Sequence, residues 1–185
     1  MSKTIIVSNR LPVRVENSDS GFNFITSEGG LATGLGSIYK QGNNLWLGWP
    51  GITLENQEDE SEISSGLEKN NMHAVFLTEY DIEAYYEGFS NETLWPNFHY
   101  FNQYTEYNEE HWQAYQVVNK KFADEVLKVF NPEDTVWIHD YQLLLLPSLI
   151  REKHPLAKIG FFLHIPFPSY ESFRRLPWRR ELLHG

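Results

Sequence analysis

Short, almost wholly apolar runs alternate along this chain with longer stretches of helical period. Residues 4–8 (TIIVS), 45–49 (LWLGW), 73–77 (HAVFL), 135–139 (TVWIH) and 158–163 (KIGFFL) each read as a strand. A strand half-exposed to water alternates apolar with polar, whereas one covered on both faces does not. The last two runs therefore look like parallel strands buried beneath helices. Between them, residues 142–153 have helical character, close on Arg151 and Lys153 with His154 beyond, and stop at Pro155. Basic residues suit the negative end of a helix dipole, and proline ends the helix. Residues 135–163 thus form a strand–helix–strand unit with a right-handed crossover.

The clearest helix is 109–130, where Trp112, Tyr115, Val118, Phe122 and Val126 keep one face and Lys120 and Asp124 the wet side; Asn131-Pro132 ends it. Near the amino terminus, residues 12–15 continue extended from the first strand. Residues 17–21 are a turn cluster and 22–26 alternate, which predicts a β-hairpin. A helical stretch to about Lys40 follows Gly29-Gly30. Residues 57–71, with Glu58, Asp59, Glu60 and Glu62, predict a solvated loop or insert. A helix is expected to start at Asp81. The aromatic-dense run 95–100 is not expected to be a regular helix. Two short helices, around 169–175 and 178–183, are separated by Pro177. Strands alternating with helices throughout point to an α/β, doubly wound, mostly parallel sheet with an N-terminal β-hairpin.

Composition narrows the chemistry. With 15 Lys and Arg against 25 Asp and Glu, the formal net charge of −10 argues against a nucleic-acid partner, which needs a basic surface. There are no cysteines, so disulfides, thiolate catalysis and zinc–thiolate sites are excluded. A cysteine-free chain fits a cytoplasmic location, no signal peptide is legible, and no run reaches the ~20 apolar residues a membrane helix needs. Gly34 and Gly36 hint at a dinucleotide fingerprint, but the third glycine position is Tyr39, so a nicotinamide enzyme is discounted.

Candidate chemistry lies at strand ends. One strand of the crossover unit ends in His139-Asp140 and the other in His164. Parallel strands share a carboxyl edge, where ligands bind in open α/β sheets, so Asp140 and His164 should face one crevice. On spacing alone, Asp140 reads equally as a helix cap and His164 as a hydrogen-bonded core histidine. A metal phosphohydrolase built on His139-Asp140 fits poorly, because no second His/Asp pair stands at ligand spacing. Arg10 ends the first strand. Gly29 and Gly30 before a helix offer backbone N–H groups to a phosphate, or are an ordinary tight turn. Trp49 beside Pro50-Gly51 reads as packing more readily than as ligand contact.

Six segments in order resemble trehalose-6-phosphate synthases: SNRLPV (8–13), GGLATGL (29–35), LGWPG (47–51), YYEGFSNETLWPNFHY (85–100), WIHDYQLLLLP (137–147) and FFLHIPFPS (161–169). The likeness covers essentially the whole chain except the acidic insert. It implies a Rossmann-like domain, the amino-terminal half of a GT-B fold of retaining glycosyltransferases. On that reading residues 1–185 are an incomplete acceptor-binding domain whose carboxy-terminal nucleotide-binding partner is absent. The family transfers glucose from UDP-glucose to glucose-6-phosphate, giving α,α-trehalose-6-phosphate, with no metal or other cofactor required. By resemblance, Arg10 grips the acceptor phosphate, Tyr86 hydrogen-bonds the acceptor, and Asp140 accepts from sugar hydroxyls. Gly29 and Gly30 reach the donor diphosphate, and His164 stands beside the transferred glucosyl group, so that His164 and Asp140 are the catalytic candidates. Trp49 and Trp95 wall the acceptor pocket, and Trp95 and Ile165 shape it. The resemblance implies soluble sugar-phosphate partners, no membrane, and leaves a homo-oligomer of the full-length parent open. A non-catalytic sugar-phosphate-binding or regulatory module is the alternative.

Overall fold

A computed structural model describes residues 2–18, 21–26, 34–35 and 43–185. Its centre is a five-stranded parallel sheet of β1 (Thr4–Arg10), β4 (Asn44–Trp49), β5 (Met72–Ala74), β6 (Thr135–His139) and β7 (Lys158–Phe162), in the order β5-β4-β1-β6-β7. The chain starts in the middle, steps outward through β4 and β5, then crosses to the other side for β6 and β7. The order reverses between β1 and β6, the place where open α/β sheets form a ligand crevice. A separate antiparallel hairpin pairs β2 (Val13–Ser18) with β3 (Gly21–Thr26), as the turn cluster predicts.

Neighbouring residues on a strand point to opposite faces, and the two cores follow that alternation. Ile5, Val7, Leu47, Val136 and Ile138 pack into one core, with Phe89, Tyr115, Phe122 and Ile150 of the covering helices. Ile6 and Trp46 point the other way, onto Leu11 and Val15 of the hairpin side and onto Ile63 and Leu67. Both faces of the central strands are therefore covered, so the winding is double.

The acidic stretch is not a loop. Residues Gln57–Glu68 form α1, capped by Asn56, whose side chain accepts from the Asp59 amide. Glu58, Asp59 and Glu60 occupy the first turn, where carboxylates complement the helix dipole. Only Ile63 and Leu67, four residues apart, anchor it, so the apolar stripe is too sparse to stand out.

A second difference follows β5. Residues 79–98 are one helical run, α2: an α-turn Glu79–Asp81, a wide π-helical stretch Ile82–Leu94, and a final α-turn Trp95–Phe98. Thr78, not Asp81, is the cap; Asp81 returns the bond to the Thr78 amide and completes a capping box. The aromatic run 95–100 is helical at its start because the change from i→i−5 to i→i−4 bonding falls at Pro96, which has no N–H to contribute.

The helix α3 (Glu109–Val129) matches the periodicity reading closely, with Trp112, Tyr115, Val118, Phe122 and Val126 all buried. After β6 a 3₁₀ turn Tyr141–Leu143 intervenes before α4 (Leu146–Lys153), so the helix expected from residue 142 starts later. Pro147 in its first turn has no N–H to bond back to the Leu143 carbonyl, so the regular i→i−4 ladder starts only beyond the 3₁₀ turn. Short helices α5 (Tyr170–Phe173) and α6 (Arg179–His184) close the chain, and Trp178 stacks on Trp112 at 5.4 Å. β7 departs from expectation: it is an edge strand, with Phe161 and Phe162 exposed. An apolar run looks the same in sequence whether it is covered or not.

Candidate active site

Three residues at the end of β1 each have a separate task. Ser8 Oγ accepts from the Trp46 indole N–H at 2.8 Å and donates to the Arg10 carbonyl at 2.6 Å, which ties down an irregularity in the β1–β4 register between Val7 and Arg10. Bulges of this kind re-aim a side chain. The Asn9 Oδ1 accepts from the buried Tyr85 hydroxyl at 3.0 Å, fixing α2 to the sheet edge. Arg10 then emerges exposed, its guanidinium 4.6 Å from the Trp49 ring and 5.6 Å from the Tyr86 ring. Arg10 has no carboxylate partner among the described residues. It borders a hollow of about 280 Å³ with Arg14, Thr26, Trp49 and Gly51.

Close approach of the chains makes this possible. A Cβ on Gly48 would lie 2.7 Å from the Ser8 carbonyl oxygen and 3.0 Å from Leu11 N. Backbone cannot swing aside as a flexible side chain can. Gly48→Ala should therefore destabilise by roughly 1–2 kcal/mol in urea unfolding, where glycine-to-alanine in an open strand interior would stabilise.

On the other side of the switch point, Asp140 follows β6 with φ 76° and ψ 169°, a region that side chains rarely adopt. It is held there from three directions. Its amide donates to the Phe162 carbonyl at 2.8 Å, and its Oδ1 accepts from the amides of Tyr141 at 3.0 Å and His164 at 3.2 Å. Asp140 and His164 thus do meet on one rim. Asp140 caps the 3₁₀ turn as well, so the two readings of this residue hold together. Burial raises its carboxyl above the usual range, against the pull of those two amides and of His164.

His164 is exposed and its Nε2 lies 3.0 Å from Nδ1 of His139, with the rings stacked at 5.2 Å. His139 is buried against Trp137, at 4.5 Å, and its pKa is lowered to about 4 by burial and by His164. This histidine carries no sequence signal beyond its place at a strand end. Tyr141, which the sequence reading does not single out, donates its hydroxyl to Asn91 of α2 at 3.0 Å, which joins the Asp140 turn to the helix bearing Tyr86.

Arg10, Trp49 and Tyr86 form one cluster, and Asp140 and His164 a second. Trp95 stands in a third place: it stacks on His99 at 4.1 Å and lines a hollow of about 490 Å³ with Asn91, Phe101 and Tyr104. Ile165 is half-buried and packs on the main core. Gly29 and Gly30 lie outside the described residues. No group of three or more metal-ligating side chains occurs among the described residues, and none of their helices is long and apolar enough to cross a membrane.

The arrangement offers a guanidinium backed by two aromatic rings, a fixed carboxylate with one oxygen not hydrogen-bonded among the described residues, and an imidazole edge. That set suits an anionic, polyhydroxylated ligand. The comparisons agree. The model of glycosyltransferase family 20 matches residues 2–185. An α,α-trehalose-phosphate synthase (UDP-forming) of Candida albicans is 42% identical over 189 residues, covering 99% of this chain and 39% of that protein. A Burkholderia xenovorans synthase solved in complex with glucose-6-phosphate superposes with a TM-score of 0.77 at 29% identity, covering 99% of this chain and 38% of the other. A structure from E. coli bound with UDP-2-fluoro glucose gives a TM-score of 0.77 at 33% identity, over 98% and 37%. The chain thus spans less than two fifths of the length of these relatives.

Proposed function

The chain belongs to glycosyltransferase family 20, and from that we propose that it is the acceptor-binding part of a UDP-forming trehalose-phosphate synthase, which transfers glucose from UDP-glucose to glucose-6-phosphate with retention. The observation that carries the reading is the exposed Arg10 guanidinium, held over Trp49 and Tyr86 at the sheet's switch point. A guanidinium fork matches phosphate oxygens bidentately, and the flanking rings remove its freedom before the ligand arrives.

In this proposal Arg10 binds the acceptor phosphate and Tyr86 its neighbouring hydroxyl. Asp140 accepts from sugar hydroxyls through its spare oxygen. His164 orients a hydroxyl of the transferred glucosyl group, and Gly29 and Gly30 offer backbone N–H groups to the diphosphate. Trp49 and Trp95 wall the acceptor pocket, and Trp95 and Ile165 shape it. Residues 1–185 act as one acceptor domain, and the donors that stabilise charge on the leaving diphosphate belong to the remaining length of the parent enzyme.

Calorimetric titration with glucose-6-phosphate tests this. The chain should bind saturably, and Asp140→Asn should weaken binding about three- to tenfold, because the amide oxygen still accepts a hydrogen bond but without the carboxylate charge. A folded sample that takes up no glucose-6-phosphate would remove the acceptor role.

A further inference from the structure

We propose that His139 is a positioning residue that fixes His164 in its Nδ1–H tautomer, so that this N–H faces the crevice as a hydrogen-bond donor. That the recipient is a sugar hydroxyl rests on the function proposed above. The argument starts from the 3.0 Å contact between His139 Nδ1 and His164 Nε2. Two nitrogens this close share one proton, so one ring donates and the other accepts.

The buried side decides which. His139 is 1% exposed, and its Nε2 has no hydrogen-bond partner among the described residues. If His139 accepted at Nδ1, its proton would sit on Nε2 as a buried donor without an acceptor, the rarest kind of unsatisfied group. If it donates from Nδ1, Nε2 is left as a bare acceptor in a ring whose centroid lies 4.5 Å from that of Trp137, a less unfavourable state. The burial that holds His139 neutral down to about pH 4 rules out a third state in which it carries both protons at neutral pH.

His139 therefore donates and His164 Nε2 accepts. A neutral His164 must then carry its own proton on Nδ1. Imidazole in water favours the opposite tautomer, so the buried neighbour converts an indifferent surface histidine into a ring of defined polarity. The Asp140 carboxylate, which accepts the His164 amide, fixes the backbone of the same residue. One neighbour sets where His164 is, and the other sets which nitrogen donates.

Nitrogen-15 spectra of the imidazole rings, recorded on the labelled full chain at pH 8, read the tautomer directly. Expected are a protonated Nδ1 and a bare Nε2 for His164, and a shift of His164 towards the Nε2–H form in His139→Phe. A wild-type His164 already in the Nε2–H form overturns the proposal, as does a His164 tautomer unchanged in a folded His139→Phe. Should that variant not fold, the wild-type spectrum alone decides. Adding glucose-6-phosphate and UDP-glucose separates the two readings: a correct tautomer whose Nδ1–H responds to neither ligand counts against the glycosyltransfer reading and leaves the tautomer assignment standing.

Discussion

Arg10→Ala should cost the chain roughly 10- to 100-fold in affinity for glucose-6-phosphate and almost nothing in stability. The first number is the loss of a charge-assisted hydrogen-bonded pair, about 1.5–3 kcal/mol. The second follows from exposure. Arg10 makes no ion pair among the described residues, and only its contacts over Trp49 and Tyr86, about 0.5–1 kcal/mol, are lost. Arg10→Lys should fall between, since a lysine ammonium keeps the charge but not the planar fork. Glucose, which lacks the phosphate, gives the control: its weak binding should ignore all three side chains at this position. Equal losses for glucose and glucose-6-phosphate would show that Arg10 shapes the pocket instead of holding the phosphate.

Acid should unfold this protein early, and His139 should carry much of that sensitivity. In the unfolded chain a histidine titrates near 6.5, while in the fold His139 is held to about 4. Between those values the unfolded state binds a proton that the native state refuses, so stability falls as pH drops from 6.5 to 4 and levels off below. The full effect is about 3 kcal/mol. Asp140 works in the opposite sense. Its carboxyl is raised in the fold, so the native state holds a proton more firmly than the unfolded one, and stability declines as pH rises above the usual carboxylate value. The two are separable by substitution. Urea midpoints of wild type and His139→Asn should differ much less at pH 4 than at pH 7, because the variant has no buried imidazole to protonate. Parallel pH profiles for the two proteins would show that the acid sensitivity lies elsewhere.

The parts of this fold that were legible in sequence are those where pattern and environment coincide. β1, β4 and β6 are covered on both faces and read as solid apolar runs, and α3 buries one face of a long helix and reads as a clean stripe. α1 was hidden because two leucine-sized anchors among many carboxylates carry too little periodic signal. The π-helical geometry of α2 has no pattern of its own, since it departs from the 3.6-residue period on which the reading depends. The same division runs through the site. Asp140 and His164 were brought together by strand logic alone, because parallel strands must share an edge. Tyr86 was reached only through resemblance, since nothing local announces which residue of a wide helix leans over Arg10. His139 is legible in sequence only as a strand-end residue that lacks partners for a metal site; its pairing with the histidine 25 residues on is visible only in the fold.

The sheet order has a consequence in time. β1 is made well before β6, one of its two partners, and Lys3 N must find Asp134, 131 residues downstream, at 2.9 Å. Closing so long a loop is slow, and local helices such as α3 form well before it. Arg10 sits at the end of one of these strands and Asp140 at the end of the other. The crevice should therefore form in the step that closes this loop, when β1 meets β6. A ligand that bridges the two ends would bind only chains in which β1 and β6 have paired, and its binding kinetics during refolding would time that pairing.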